Sequence, residues 1–394
     1  MGRSADYTIQ GFLYQFNKTI LEILAAADGS LITIEGIIED IEVAGPDITT
    51  ATQCKYHEAK EKYTLGALYD PLLQMMIHFH TTASSKVNYV LFAHFPNTED
   101  ITISKNDLTA VLNTKNKDLA KFVTVLKDKV DLDRFLTKLR IEVGPSFDDL
   151  VSKVQKQFAA LGVNKTDIET LWYPNALNLI GRLSVKHDVE LRQIAKADFI
   201  GQLKQIKATA ISQWTLSLKT REKLLKARKN QLRTNLSINT RLRYFLLHAD
   251  ALDDFENQIV LFIKAYLDKY HHKPAHVSTP IFCLDVSNDA FSAIELRLIA
   301  KEIPLADGIV AGVFNEALFF RNPIVCKDRR EFALRIINWN QNGQVLDKIR
   351  PDDLFVFGLG GYDGLNALDV AVEELEMRSF NDILFVMGLS NVID

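Results

Sequence analysis

Asp40, Gln53 and Lys55 are the residues of this chain whose types and spacing best suit chemistry. Asp40 stands in an acidic, β-branched run, Ile34-Glu35-Gly36-Ile37-Ile38-Glu39-Asp40-Ile41-Glu42-Val43. Gln53 follows thirteen positions later, within Thr52-Gln53-Cys54-Lys55-Tyr56. Read as strands, the first run is an acidic hairpin and the second carries Gln53 and Lys55 on one face, because side chains alternate along a strand. That arrangement suits a divalent-metal site for cutting phosphodiesters.

Several elements must position these groups. Residues 7–27 read as an amphipathic helix, with Phe12, Phe16, Ile20 and Ile23 at helical spacing and Asp28-Gly29-Ser30 ending it. A second stripe on that helix, Gly11, Gln15, Lys18 and Glu22, either lines a site or faces solvent. Residues 31–37 and 38–43 are predicted strands, the latter placing Ile38, Asp40 and Glu42 on one face, and Gly45-Pro46-Asp47 turns the chain. A strand over 51–56, a helix over 65–78 and a buried strand over 87–95 complete the order: helix, three strands, helix, strand.

This order, with Asp40 and then Gln53-Cys54-Lys55, resembles the PD-(D/E)xK nuclease fold in the variant where Gln replaces the second acid. Mrr-type restriction endonucleases share that D…QxK form. The helix Gly11-Phe12-Leu13-Tyr14-Gln15, together with Glu35 and Asp40, resembles the N-terminal double-stranded-DNA endonuclease domain of bacterial anti-phage effectors. Those include CBASS and Lamassu nucleases and the nuclease partners of HerA-type ATPases. The motifs cover residues 7–60.

The resemblance implies Mg²⁺ or Mn²⁺ as cofactor, to polarise the phosphoryl group and activate water. It implies Asp40 as the central bridging carboxylate and Glu35 as a second ligand or a partner of metal-bound water. The Gln53 side-chain oxygen and the Cys54 carbonyl would complete a hard-oxygen shell. Lys55 would orient and help deprotonate water and stabilise the phosphorane, and Gln15, followed by Glu22, would hold metal waters from the first helix. Gln53 in place of an acid removes one negative charge, which should weaken metal affinity before DNA arrives. A structural hairpin with surface charges and a degenerate, inactive nuclease fold are the competing readings. His57, Glu58, Lys60 and Lys62 come next, as solvent-exposed or DNA-backbone-facing loop residues. His78 and His80 lack a matching third ligand.

Bulk properties bound the rest. With 394 residues, 47% of them hydrophobic, the chain can form two or three domains. A net charge of −4 excludes a global nucleic-acid signature, so any DNA-binding surface is local. Three scattered cysteines suit neither a disulfide framework nor a Cys-based zinc site. A reducing cytoplasm is the expected compartment, with no signal peptide and no run near the ~18 apolar residues that span a membrane.

Residues 106–157 are lysine-rich and helical in pattern, with a late strand over 135–143, and residues 166–207 continue in helices. The stretch from Lys219 to Arg243 is strongly basic: Lys219, Arg221, Lys223, Lys226, Arg228, Lys229, Arg233, Arg241 and Arg243 against the single acid Glu222. It reads as a solvated helix, a DNA contact or a partner contact. Residues 244–270 form an apolar helix pair, ended by His271-His272-Lys273-Pro274 as a helix terminus rather than a ligand pair. Beyond Thr279, strands are predicted over 281–286, most of 309–320, 331–339, 353–358 and 383–387, with helices over 289–301 and 365–376. The glycine string 357–364 reads as a tight strand-to-helix turn, with a nucleotide-sensing pocket as the lesser alternative. No Walker-type loop occurs, so an ATP-driven step would come from another protein.

The expected fold class is mixed α/β, with a restriction-endonuclease-like core, a helical middle region and a small C-terminal α/β domain. The expected boundaries are 1–210, 211–275 and 276–394. The expected function is a Mg²⁺-dependent DNA endonuclease, the effector of an anti-phage system. Its partners would be double-stranded DNA, further copies of itself and a separate SMC-like (Lamassu) or HerA-like ATPase, with no membrane. A CBASS-like nucleotide-sensing effector ranks lower, because the C-terminal region is short for such a domain. The alternatives are a stand-alone Mrr-like restriction enzyme and a catalytically inactive scaffold subunit.

Overall fold

In the computed structural model, which describes residues 3–57, 63–82, 86–327, 329–358, 365, 367 and 369–393, the chain opens with α1 (Arg3–Ala25). Phe16, Ile20 and Ile23 recur at helical spacing and are all buried, beside Leu13, Tyr14 and Leu24. Each such burial contributes roughly 2 kcal/mol, so a charge at Ile20 would detach this face. Two polar groups on the helix are satisfied locally. Asn17 Nδ2 donates to the Leu13 carbonyl at 2.7 Å, and Thr19 Oγ1 to the Gln15 carbonyl at 2.9 Å. Phe12, expected on the apolar face, is 41% exposed.

Strands β1 (Leu31–Ile34), β2 (Ile41–Ala44) and β3 (Thr49–Tyr56) pair antiparallel in sequence. Helix α2 (Tyr69–Thr81) then carries the chain to β4 (Val87–His94), parallel to β3, as a parallel pair requires a crossover. Short helices α3 (Lys105–Leu112), α4 (Ala120–Leu126) and α5 (Leu132–Leu136) lead to β5 (Leu139–Val143), parallel to β4, and then to α6 (Phe147–Ala160). A three-residue strand, β6 (Gln193–Ala195), pairs with β1, giving the order β5-β4-β3-β2-β1-β6. Helix α1 packs on β3 and against α6. Leu72, Leu73 and Met76 of α2 share a core with Tyr89 and Leu91 of β4 and with Phe135.

Three expectations are corrected in this unit. Residues 35–40 are not strand: they form the turn between β1 and β2, so Asp40 does not share a strand face with Ile38 and Glu42. The late strand begins at Leu139, because Phe135 closes α5 inside the core. The segment 166–207 is not wholly helical, since β6 finds its partner in β1.

From residue 208 the chain forms a second compact unit; the two are Met1–Lys207 and Ala208–Asp394. Its main sheet is wholly parallel, in the order β16-β15-β7-β8-β14-β9. The strands are β7 (Arg243–His248), β8 (Ile281–Asp285), β9 (Leu305–Ala306), β14 (Leu334–Asn338), β15 (Asp353–Phe357) and β16 (Ala371–Leu375). Two small hairpins, β10–β11 (Ile309–Val310, Val313–Phe314) and β12–β13 (Val325–Cys326, Arg329–Arg330), lie between β9 and β14. Every residue of β7 is buried, and its middle, Tyr244-Phe245-Leu246-Leu247, is accordingly a continuous apolar run rather than an alternating one.

Here too the predicted elements shift. Tyr244 to Tyr270 is not a helix pair but β7 followed by a helix, Phe255–Tyr270, so the largely helical stretch 211–275 carries one strand of the second unit's sheet. Residues 309–320 hold only the β10–β11 hairpin and a short helix, Glu316–Phe320. Ala371–Leu375, expected within a helix, pairs as a strand with β15. Residues 383–387 belong to no strand: Phe380–Val386 is a helix, with Ser379 Oγ accepting from the Asn381 N–H at 3.2 Å. Of the glycine string, residues 359–364 lie outside the described residues. No helix among the described residues is long and apolar enough to cross a membrane.

Candidate active site

The β1–β2 turn is closed by its own backbone. Glu35 takes a positive φ of 49°, its N–H donates to the Asp40 carbonyl at 2.8 Å, and the Gly36 N–H donates to the Glu39 carbonyl at 3.0 Å. The Ile38 N–H donates to Glu42 Oε1 at 2.5 Å. A side chain at position 36 would push the Glu42 carboxylate out of its place against the Ile38 N–H. From far along the chain, Arg192 Nη1 donates to the Glu35 carbonyl at 2.7 Å. The turn therefore holds the Glu35 and Asp40 carboxylates on a braced backbone.

β3 outruns its partner. Thr52 pairs with Ile41, the first residue of β2, and residues 53–56 continue beyond it. Asp40 fills the notch: its Oδ2 accepts from Gln53 Nε2 at 2.5 Å and from the Cys54 N–H at 2.8 Å. An extended residue directs its N–H and carbonyl to the same side, so the Cys54 carbonyl also faces the Asp40 side. Glu35 Oε1 accepts from Gln15 Nε2 at 2.6 Å, which ties α1 to the turn. Gln15, Glu35, Asp40, Gln53, Cys54 and Lys55 together line one cleft of about 340 Å³, with Phe12, Tyr56 and His57 at its walls.

The electrostatics are those of an anionic site short of positive charge. Burial pushes the Asp40 carboxyl up to about 6, although the Cys54 N–H, Lys55 and Gln53 pull it down, while Glu35 raises it further. Glu39 was not foreseen. It is 6% exposed, its Oε1 has no hydrogen-bond partner, and burial followed by the neighbouring Asp40 charge pushes it up to about 8. Nothing in its residue type separated it from Glu35, Asp40 and Glu42, which are only half-buried. Arg192 was missed for a different reason, since its contact joins residues 157 positions apart.

The oxygen donors available to a cation are the Asp40 and Glu35 carboxylates, the Gln53 carboxamide oxygen and the Cys54 carbonyl. Among the described residues no three His, Cys, Asp or Glu side chains come together as a metal cluster. The donor set instead fits a hard ion held by one or two carboxylates and water. Glu22 is not part of it: Lys18 Nζ takes Glu22 at 2.6 Å and Glu142 at 3.2 Å. Lys18 is itself buried, so the polar stripe of α1 is not a solvated face. His57 stacks on Phe95, with ring centroids 4.8 Å apart. Glu58, Lys60 and Lys62 lie outside the described residues. His78 Nδ1 meets the Tyr89 hydroxyl at 2.6 Å, which gives that ring a structural contact.

The basic stretch is largely committed to its own unit. In the helix Arg221–Leu236, Arg228 is 4% exposed and ion-paired with Glu373, and Arg221 Nη2 holds Asp382 at 2.6 Å. Lys229 Nζ donates to the Ser390 carbonyl at 2.8 Å and Lys226 pairs with Glu222. Arg241 and Arg243 both hold the buried Asp353. The expectation of a phosphate-tracking surface is therefore corrected for Arg221 and Arg228, whose charges are answered internally. Lys219, Lys223 and Arg233 belong to the same basic stretch.

The second unit has a wider cavity, about 680 Å³, at the carboxyl ends of its strands. Asp250, Asp254, Glu256 and Asp285 line it, with no Lys or Arg among the described residues. Asp285 accepts from Asn340 Nδ2 at 2.9 Å and meets His248 Nδ1 at 3.2 Å. Four carboxylates without a counter-cation make a poor seat for phosphate.

No protein-family model matches the chain. No curated protein matches it either. Among solved structures, the chain is similar to the Acinetobacter baumannii Cap4 SAVED/CARF-domain containing receptor. The structure with the cyclic trinucleotide 3'3'3'-cAAA aligns over 72% of this chain and 92% of that one, at 12% identity and a TM-score of 0.29. Another structure of that receptor aligns over 96% and 91%, again at 12% identity and 0.29. A likeness at that TM-score carries no argument about what this chain does.

Proposed function

We propose that the unit Met1–Lys207 is a divalent-metal-dependent DNA endonuclease. The observation that carries this reading is the notch beside β3, where Asp40 takes two hydrogen bonds from the strand that also brings Lys55 to the same cleft. Asp40 and Glu35, with the Gln53 carboxamide oxygen and the Cys54 carbonyl, would hold Mg²⁺ or Mn²⁺. When bound, the ion polarises the phosphoryl group and lowers the pKa of an attacking water. The chain's own groups do the rest. Lys55 donates to the scissile phosphate and answers the charge that builds on it, in a site positioned beforehand. Gln15 fixes one oxygen of Glu35 and so orients the other. A purely structural hairpin would not require a buried carboxylate and a lysine to share an open cleft.

The wider role belongs to the same proposal. The enzyme acts on duplex DNA in the cytoplasm as the effector of a bacterial anti-phage system, self-associates, and is licensed by a separate SMC-like or HerA-like ATPase. Plasmid cleavage by the purified chain in Mg²⁺ or Mn²⁺ tests the chemistry. Lys55→Ala should slow it by roughly a thousandfold. Unchanged cutting by that variant would overturn the assignment.

A further inference from the structure

We propose that His271, His272 and His276 bind a zinc-type transition ion, which clips the end of the helix Phe255–Tyr270 to the loop that leads into β8. The site lies wholly in the second unit and is independent of the endonuclease reading. His271 is the residue that ends the helix, and it is 4% exposed. Its Nε2 is buried and has no hydrogen-bond partner among the described residues. His276 Nδ1 is in the same state. The His271 and His276 ring centroids lie 5.5 Å apart, and those of His272 and His276 6.0 Å. Two imidazoles on one tetrahedral Zn²⁺, each bonded at about 2.0–2.1 Å, have ring centres roughly 5 Å apart. Buried nitrogens without partners cost free energy, and one ion answers both.

The loop is held before any ion arrives. Arg330 Nη1 donates to the His276 carbonyl at 2.6 Å and to the Lys273 carbonyl at 3.4 Å, and its Nη2 to the His271 carbonyl at 2.9 Å. The His276 N–H closes a turn on the Lys273 carbonyl at 3.0 Å. One guanidinium thus fixes the backbone beneath two of the rings. His272 is exposed and must turn inward to join them, so among the described residues the three do not converge beforehand. Chemistry selects the ion. Imidazole nitrogens without a carboxylate disfavour Mg²⁺, which seeks oxygen, and suit Zn²⁺ or another late first-row ion. Burial holds His271 down at about 3, with Arg330 and His276 lowering it further, and burial followed by His272 lowers His276. Both rings are therefore neutral near pH 7 and take a metal without first losing a proton. The Arg330 charge opposes a dication, so two rings alone make a weak site and His272 decides the affinity.

The test uses the untagged full chain, stripped of metal and then kept in excess Mg²⁺ to fill oxygen sites in the first unit. Calorimetric titration with Zn²⁺ should show an ion bound in simple proportion to the chain. The melting temperature should rise by several degrees as it saturates, because the ion binds only the folded loop. His272→Ala changes an exposed side chain and should weaken Zn²⁺ binding about a hundredfold, with His276→Ala costing as much. In the wild type, Zn²⁺ should also shift the ring-nitrogen NMR signals that these two variants remove. Asp40→Ala should keep the ion. No stoichiometric binding, equal affinity in both histidine variants, or histidine signals that stay in place would overturn the site. Loss of all Zn²⁺ binding in Asp40→Ala would put the ion in the first unit's cleft, which overturns it too and leaves the nuclease reading standing.

Discussion

Gln53 Nε2 lies 2.5 Å from Asp40 Oδ2, a bond made by the carboxamide nitrogen that leaves the carboxamide oxygen as the atom able to meet a cation. Gln53→Glu replaces that donor with a second acceptor beside a carboxylate already raised to about 6. The variant should be less stable without metal and should bind Mg²⁺ about tenfold more tightly, since added ligand charge tunes such sites. Titration calorimetry reads the affinity and urea denaturation the metal-free stability, and an unchanged metal response would remove Gln53 from the ligand set.

Cutting should be pH-dependent. Asp40 must be ionised to hold a cation, so activity should climb as pH rises through about 6, where its carboxyl titrates. Higher Mg²⁺ should move the midpoint downward, because the ion competes with the proton for the same oxygens. A pH profile flat from 5 to 7 at limiting metal would contradict this.

Glu39 makes a prediction about stability alone. Its folded-state value of about 8 lies above the ordinary 4.5, so the folded chain binds the extra proton between those values. Its contribution is therefore full below about pH 4.5 and is lost as pH rises through about 8. Glu39→Gln removes the cost of ionising a buried acid. At pH 9 the variant should be more stable than the wild type by on the order of a few kcal/mol, with little difference at pH 4. Urea denaturation at the two pH values decides it, and the same gap at both would mean that Glu39 does not titrate in this range.

The basic helix separates charge from function. Arg228→Ala leaves Glu373 buried without its partner and should cost about 3–5 kcal/mol. Lys226→Ala breaks only an exposed i,i+4 pair with Glu222 and should change stability by under about 0.5 kcal/mol. Denaturation of both variants checks this, and DNA affinity of the folded Arg228→Ala protein should match wild type. A large affinity loss there would restore the phosphate-contact reading.

Arg192 links two distant parts of the site. Arg192→Ala should cost about 1–2 kcal/mol and release the Glu35 carbonyl, loosening the turn that bears both carboxylates. A cleavage rate that falls by more than the folded fraction would show that the brace orients the site. A rate that follows the folded fraction alone would make it structural.

The strand that carries Gln53 and Lys55 was legible because local signals agree: β-branched residues, alternation and a preceding turn sequence. Asp40 was found by type and misplaced by structure. Nothing marks Glu35 as the left-handed residue of a turn, because β-branched residues stand on both sides of it: Ile32, Thr33 and Ile34 before, Ile37 and Ile38 after. Ala371–Leu375 sits among helix formers, and pairing with β15 overrides that propensity. Residues 383–387 show the reverse: a short apolar run has no period long enough to separate a buried strand from a buried helix. β6 is three residues long and exists only as the partner of β1, so no local pattern could reveal it.

β7 lies between β8 and β15, not at an edge, although it comes first in its sheet along the chain. A break after residue 275 would part it from both neighbours and leave two raw edges ready to pair with other chains. Everything from Arg243 to Leu375 must therefore be inherited, exchanged or duplicated as one block. A cut that leaves this sheet whole falls near Lys207, where the first unit closes.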